Sequence, residues 1–257
     1  MMNTPSFRLD GKVAMITGAS SGIGARLAQS FAAAGAAVAL VARRRDRLEA
    51  LEQELLASGA QVVVVELDIN DHAALPAAFA SIEARLGVAD VVINNAGIAA
   101  PATFLKTTAD VLHDTMSTNF ESAWHVTQEA ARRLVAARKP GSIINVASVL
   151  ALGAGPGYAA YSASKAALVS MTRSLALEFV RYRIRVNALA PGWFVTEMNR
   201  DYFATAAGEE YLKKIPPGRA GQLDELVGPA LLLASDAGSY VNGVTLPVDG
   251  GHSVALV

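Results

Sequence analysis

Apolar and polar positions follow two rhythms along this chain. Near-continuous apolar runs rich in branched residues occupy 12–17 (KVAMIT), 36–42 (AAVALVA), 61–67 (QVVVVEL), 89–93 (ADVVI), 141–147 (GSIINVA), 183–189 (RIRVNAL) and 244–248 (VTLPV). Between them, apolar residues recur at three- and four-residue spacing. Leu48, Leu51, Leu55 and Leu56 stripe a helix over 47–58, and Leu75, Phe79, Ile82 and Leu86 one over 71–86. A long helical pattern over 104–139 carries Met116, Phe120, Trp124, Ala131 and Leu134. Helices are also predicted over 25–34, 160–181 and 222–234. Unbroken apolar strands, each followed by a helix, predict a parallel sheet covered on both faces. Right-handed crossovers then leave few topologies for such an α/β fold, and a doubly wound sheet is the expectation. The helix over 160–181 is apolar nearly all round (Ala163, Ala166, Leu168, Val169, Met171, Leu175, Leu177, Phe179), which predicts a second buried side and hence an oligomer. Residues 193–219 lose strand character and mix aromatics, charges and Pro216-Pro217-Gly218, which predicts a lid.

Composition narrows the field. With 257 residues, 52% of them hydrophobic, the chain suffices for one domain spanning 1–257. A net charge of −1 excludes a basic nucleic-acid footprint. Cysteine is absent, which removes disulfides, thiolate nucleophiles and thiolate metal sites. No apolar run reaches the ~18–20 residues of a membrane span, and MMNTPSFRLDGK lacks a secretory apolar stretch. The expectation is a soluble cytoplasmic protein with no membrane partner. His72, His113, His125 and His252 are scattered, and no metal site is expected.

The first strand ends in Gly18-Ala19-Ser20-Ser21-Gly22-Ile23-Gly24, ahead of a helix. Strand, glycine turn and helix open a nucleotide-binding βαβ unit, in which glycines let a pyrophosphate approach backbone N–H groups. The spacing is GxxxGxG, not the common GxGxxG, and a loop that merely needs small residues remains the plainer reading. The second strand ends at Ala42, followed by Arg43-Arg44-Arg45. A carboxylate there would bind both ribose hydroxyls; a guanidinium suits a 2′-phosphate. Arg43 therefore predicts NADP(H) in preference to NAD(H). Tyr161 and Lys165 stand at i and i+4 of a helix, on one face. A lysine ammonium close to a phenol lowers its pKa and fits it for acid/base work. Ser148, thirteen positions earlier, has a hydroxyl suited to a substrate carbonyl. Tyr158 is a rival tyrosine without a lysine at i+4. A Tyr-x-x-x-Lys pair alone is weak, since many helices carry one.

Taken together, Thr17-Gly18-x-x-x-Gly22-x-Gly24, Asn94-Asn95-Ala96-Gly97, Asn119, Ser148, Tyr161-x-x-x-Lys165 and Pro191-Gly192 resemble the short-chain dehydrogenase/reductase family over nearly the whole chain. The resemblance implies a Rossmann fold, a three-layer αβα sandwich whose seven-stranded parallel sheet has the order 3-2-1-4-5-6-7. It implies hydride transfer between a nicotinamide and a small-molecule carbonyl or secondary alcohol, without metal. By the same resemblance Tyr161 is the acid/base, Ser148 orients the carbonyl, Lys165 also holds the nicotinamide ribose, and Asn119 holds a water that relays protons. Gly18, Ser20, Ser21, Gly22, Ile23 and Gly24 would line the pyrophosphate. Arg43 would bind the 2′-phosphate, Asp68 and Ile69 the adenine, and Asn95, Ala96 and Gly97 the ribose side. Pro191, Gly192, Phe194, Val195 and Thr196 would contact the nicotinamide end. Leu150, Tyr158, Trp193, Met198 and Tyr202 are candidate substrate walls, with Leu152 and Phe203 beside them. The ending Tyr240-Val-Asn-Gly243 and Val248-Asp-Gly-Gly251 resembles both 3-oxoacyl thioester reductases and sugar-acid or polyol dehydrogenases, and implies a homotetramer or homodimer. A dinucleotide-binding regulator without chemistry is the contrasting class; it would not need all four of Asn119, Ser148, Tyr161 and Lys165.

Overall fold

The structure is a computed structural model describing residues 5–255. Seven parallel strands form one sheet, β1 (Val13–Thr17), β2 (Ala37–Ala42), β3 (Val62–Glu66), β4 (Val91–Asn94), β5 (Gly141–Val146), β6 (Ile184–Pro191) and β7 (Thr245–Val248). Their order is β3-β2-β1-β4-β5-β6-β7, as the resemblance implied. Successive strand residues face opposite sides. Ala14 and Ile16 of β1 pack into one core with Leu27 and Phe31 of α1 (Gly22–Ala33) and Leu48 of α2 (Arg45–Ala57). Val13 and Met15 enter the other core, with Phe79 and Ile82 of α3 (Leu75–Leu86). That double burial is why the strands read as unbroken apolar runs.

On the second face, α4 (Ala109–Met116) runs through a π-helical turn (Ser117–Glu121) into α5 (Ser122–Ala136). The single long helix expected over 104–139 is thus broken. Residues 104–106 form a separate 3₁₀ turn, and the Ser122 N–H reaches back five residues to the Ser117 carbonyl. α6 (Ala159–Glu178) follows β5, and β6 leads to α7 (Arg200–Phe203) and α8 (Ala206–Leu212). The chain then passes to α9 (Val227–Ala234), which covers the first face beside α1. The helix expected over 71–86 starts instead as a 3₁₀ turn at His72–Ala74. Pro76, without an N–H, sits where α-helical bonding begins.

A buried polar ladder ties sheet to helices. Asn94 donates to Thr127 Oγ1 (2.9 Å) and to Asn145 Oδ1 (2.8 Å), and Asn145 donates to Thr172 Oγ1 (2.8 Å). All four residues are buried, so each lost bond would leave an unsatisfied group, typically at ~1–3 kcal/mol. The ladder fixes β4, β5, α5 and α6 at one height, just below the ends of β4 and β5.

Candidate active site

A cavity of about 900 Å³ opens over the C-terminal ends of the strands, at the switch point between β1 and β4. Its first end is the turn from β1 into α1. Gly18 has φ +66°, and a Cβ there would meet Asn95 Nδ2 at 2.9 Å. A Cβ on Gly24 would collide with the Gly18 carbonyl. Both positions therefore need glycine. α1 begins at Gly22, earlier than the residue 25 expected, so the glycine loop supplies its first turn. Ser21 precedes it with no side-chain cap, and no acid occupies that turn. Uncapped N–H groups at the start of a twelve-residue helix are an anion site.

Thr17 organises the opposite rim. Its Oγ1 donates to the Ile93 carbonyl (3.2 Å) and accepts from the N–H groups of Asn95 (3.0 Å) and Ala96 (3.1 Å). Asn95 Nδ2 donates back to the Thr17 carbonyl (3.0 Å). The Asp68 carboxylate accepts from the Asn70 N–H (3.0 Å), and Asp68 and Ile69 line the cavity where β3 ends.

The arginine run divides its tasks. Arg43, the one singled out by sequence, lines the cavity with a largely exposed side chain, 3.9 Å from Asp68 Oδ2. Arg44 instead lies over the glycine loop. It donates to Ser20 Oγ (3.0 and 3.1 Å) and Ser21 Oγ (2.6 Å), and to Glu197 Oε2 (2.9 Å). Arg47 also pairs with Glu197. Hydrogen bonds from Arg44 and Arg47 hold the Glu197 carboxyl down at about 2. Arg45 turns away to Glu49 (2.6 Å). Arg44 and Glu197 were missed by sequence. Arg44 stood in the run already noticed, whereas Glu197 is 153 positions distant and left no local signal.

At the far end, β5 delivers Ser148 and α6 delivers Tyr161 and Lys165. Lys165 is 4% exposed, and its Nζ donates to the Val146 carbonyl at 2.7 Å. Burial lowers this ammonium to about 8. Burial raises the Tyr161 phenol, and the Ser148 hydroxyl opposes that rise by hydrogen bonding. The expected lowering by lysine is therefore not what this geometry gives. Lys165 Nζ stands 5.8 Å from the Tyr161 ring centroid and is directed at a carbonyl. The Asn119 amide accepts from the Ile98 N–H (2.8 Å) and donates to the Ile98 carbonyl and Ser164 Oγ (both 3.0 Å). Ser164 donates in turn to the Tyr161 carbonyl (2.7 Å). Ser164, three residues after Tyr161 and buried, was also missed. Gly97 sits between Asn119 and Lys165, where a Cβ would come within 3.2 Å of Asn119 Oδ1 and 3.5 Å of Lys165 Nζ.

The cavity gathers nearly every residue named from sequence. Five stand apart from its wall. Gly24 is buried beneath the loop as a packing position, and Asn119 is 1% exposed behind Gly97. Val195 and Leu152 are exposed outside it, at 45% and 43%. Phe203 backs the wall from behind, its ring 5.5 Å from that of Trp193. Nor are the histidines all scattered. His72 and His125 stack at 4.0 Å, and burial lowers His72. Among the described residues, no three His, Asp or Glu side chains gather as metal ligands, and no helix is long and apolar enough to cross a membrane.

Residues 18–253 match a family model described as Enoyl-(Acyl carrier protein) reductase. Gluconate 5-dehydrogenase of Gluconobacter oxydans is 39% identical over 257 residues, all of both chains. Galactitol 2-dehydrogenase (L-tagatose-forming) of Cereibacter sphaeroides is 39% identical, covering 96% of this chain and 97% of that one. The crystal structure of a gluconate 5-dehydrogenase from Burkholderia cenocepacia, in complex with NADP and tartrate, superposes with a TM-score of 0.93 at 41% identity, covering 97% and 98% of the two chains. With the fold, the glycine turn and the Ser148–Tyr161–Lys165 array in one cavity, these likenesses show that the chain belongs to the short-chain dehydrogenase/reductase family, oxidoreductases acting on CH–OH and C=O groups.

Proposed function

We propose that this chain is a single-domain, NADP(H)-dependent carbonyl reductase and secondary-alcohol dehydrogenase with Tyr161 as its acid/base. One observation carries the reading: the Ser148, Tyr161 and Lys165 side chains stand at one end of a cavity whose other end is an anion-binding helix start under Arg44. When bound, the nicotinamide cofactor supplies the hydride taken up by the carbonyl carbon. Carbonyl, NADPH and one proton then give alcohol and NADP⁺. The Tyr161 phenol gives that proton to the substrate oxygen, and the Ser148 hydroxyl hydrogen-bonds the same oxygen as negative charge grows on it. Lys165 places a buried ammonium on the helix face of Tyr161, one turn along, and Asn119 braces the Ile98 and Ser164 backing. The segment 193–219 acts as a lid over the substrate end.

The residues fit the cofactor. The uncapped start of α1 suits a pyrophosphate, and Arg44 with the Ser20 and Ser21 hydroxyls suits a phosphate on the adenosine ribose. Glu197 works against that phosphate, because it shares Arg44 and Arg47. Calorimetry with 2′,5′-ADP and ADP tests this. Arg44→Ala should weaken 2′,5′-ADP about tenfold more than ADP. Glu197→Gln should tighten 2′,5′-ADP about fivefold and leave ADP unchanged. Equal binding of the two ligands by the unaltered protein would remove the preference for NADP(H).

The chain is also proposed to work as a homotetramer or homodimer. Trp124 on α5 and Leu177 on α6 are 46% and 81% exposed. Sedimentation at micromolar concentration should show a species larger than the 26.7 kDa chain; a monomer would contradict it.

A further inference from the structure

We infer that the substrate of this enzyme is an uncharged carbonyl compound, or its secondary alcohol, with a compact apolar body, rather than a sugar acid or an open-chain polyol. The inference rests on the catalytic reading of Ser148 and Tyr161 and asks what their surroundings accept.

The cavity is chemically divided. Arg43, Arg44 and Asp68 stand at the adenosine end, where β2 and β3 finish. Asp114 lies one helical turn before Thr118, whose hydroxyl accepts from Asn70 at the end of β3 (3.0 Å), and so belongs to that end too. Around Ser148 the wall is Ile98, Pro101, Leu150, Tyr158, Trp193 and Met198. The aromatic part is a packed edge-to-face series: Tyr158 to Trp193 at 6.0 Å and Trp193 to Tyr211 at 5.5 Å. The Trp193 indole N–H is turned away from the cavity to Tyr211 Oη (3.2 Å), so Trp193 presents carbon to a substrate.

A carboxylate placed here meets no free cation among the described residues. Lys165 is the one cation lining this end, and its ammonium is buried and donates to the Val146 carbonyl. An ionised group brought out of water without a partner binds poorly. A polyol asks instead for several donors and acceptors. Asn199 is held in place by the lid backbone, its amide accepting from the Thr196 N–H and donating to the Phe194 carbonyl (both 2.9 Å). The phenols of Tyr158 and Tyr202 remain, enough for one further oxygen on the substrate and not for a chain of them. Burial raises the Tyr158 phenol, which keeps it a neutral donor at pH 7. The gluconate named for two relatives therefore does not match this wall.

The test uses the full chain and NADPH oxidation at 340 nm. The probes are 1,2-cyclohexanedione and acetophenone, against 5-keto-D-gluconate, L-tagatose and acetoacetyl-CoA. At least one of these two apolar ketones is expected to exceed all three others in kcat/KM, by about 100-fold or more over the keto acid. Binding gives an independent readout: 1-phenylethanol should quench tryptophan fluorescence of the NADP⁺ complex at concentrations where gluconate does not. Equal or higher efficiency on 5-keto-D-gluconate, L-tagatose or acetoacetyl-CoA would overturn the inference and leave the oxidoreductase reading intact. No oxidation of NADPH by any carbonyl, with calorimetric cofactor binding intact, would overturn the catalytic reading and this inference with it.

Discussion

Tyr161→Phe is expected to lower kcat by about a thousandfold while cofactor dissociation constants change less than about twofold. Positioned proton transfer contributes roughly 10²–10⁴ in rate, and phenylalanine removes the only group proposed to supply the proton. The ring itself stays. It packs edge-on to Tyr158 at 6.3 Å, a contact phenylalanine keeps. Chemistry should therefore be lost without loss of the fold. Ser148→Ala should cost less, about a hundredfold, because it removes one donor to the developing charge and leaves the proton source. The measurements are single-turnover rates at saturating NADPH, cofactor titration by fluorescence, and thermal melting. Turnover near that of the unaltered enzyme in Tyr161→Phe would end the assignment of Tyr161.

Lys165→Met is expected to abolish measurable turnover and yet to stabilise the protein at neutral pH. The folded chain holds this ammonium at about 8, against 10.5 when exposed. Between those values the unfolded chain binds a proton that the folded chain lacks. Stability therefore rises with pH across that window, and below about 8 the full burial penalty applies. At 1.36 kcal/mol per tenfold change in proton affinity, the penalty is about 3 kcal/mol. Methionine escapes it but loses the bond to the Val146 carbonyl, typically about 1 kcal/mol or more. The net gain is about 1–2 kcal/mol, or a few degrees in Tm. It should vanish in melts above pH 10.5. A Tm that falls at pH 7 would mean that Lys165 supports the fold rather than burdening it. The expected pattern is a residue retained against stability.

Periodicity and glycine spacing made most of the sheet readable. Runs such as AVALVA, each followed by a helical pattern, read as parallel strands covered on both faces, and the order of the sheet followed once the family resemblance was in hand. The cavity wall was legible wherever a residue sat in a local motif: Gly18, Asn95, Tyr161, Lys165. Two kinds of residue stayed hidden. Arg44 could not be separated from Arg43 because the choice depends on where α2 begins, and that boundary moved from 47 to 45. Glu197 acquires meaning only through a tertiary contact with Arg44 and Arg47, and nothing in VTEMN marks it. The breaks in the predicted helices had ordinary physical causes, such as Pro76. The break at Asn119 has another origin, in hydrogen bonds that a linear pattern does not contain.

The π-helical turn at Ser117–Glu121 makes counting as important as chemistry. Each α-helical residue advances the helix face by about 100°, and a π turn absorbs one residue beyond the α-helical count. α4 and α5 thus keep their faces in register although the stretch between them holds one residue more than an α-helix would. Removing any one residue between Thr108 and Ser122 would let the turn relax into plain α-helix. The faces of α4 and α5 would stay nearly in phase, and the widened turn that carries Asn119 would close. Asn119 would then swing away from Ile98 and Ser164 although every residue near it kept its identity. The number of residues in that stretch is as much a part of the site as the asparagine it carries, and an insertion or deletion there should disable the enzyme as fully as changing Asn119 itself.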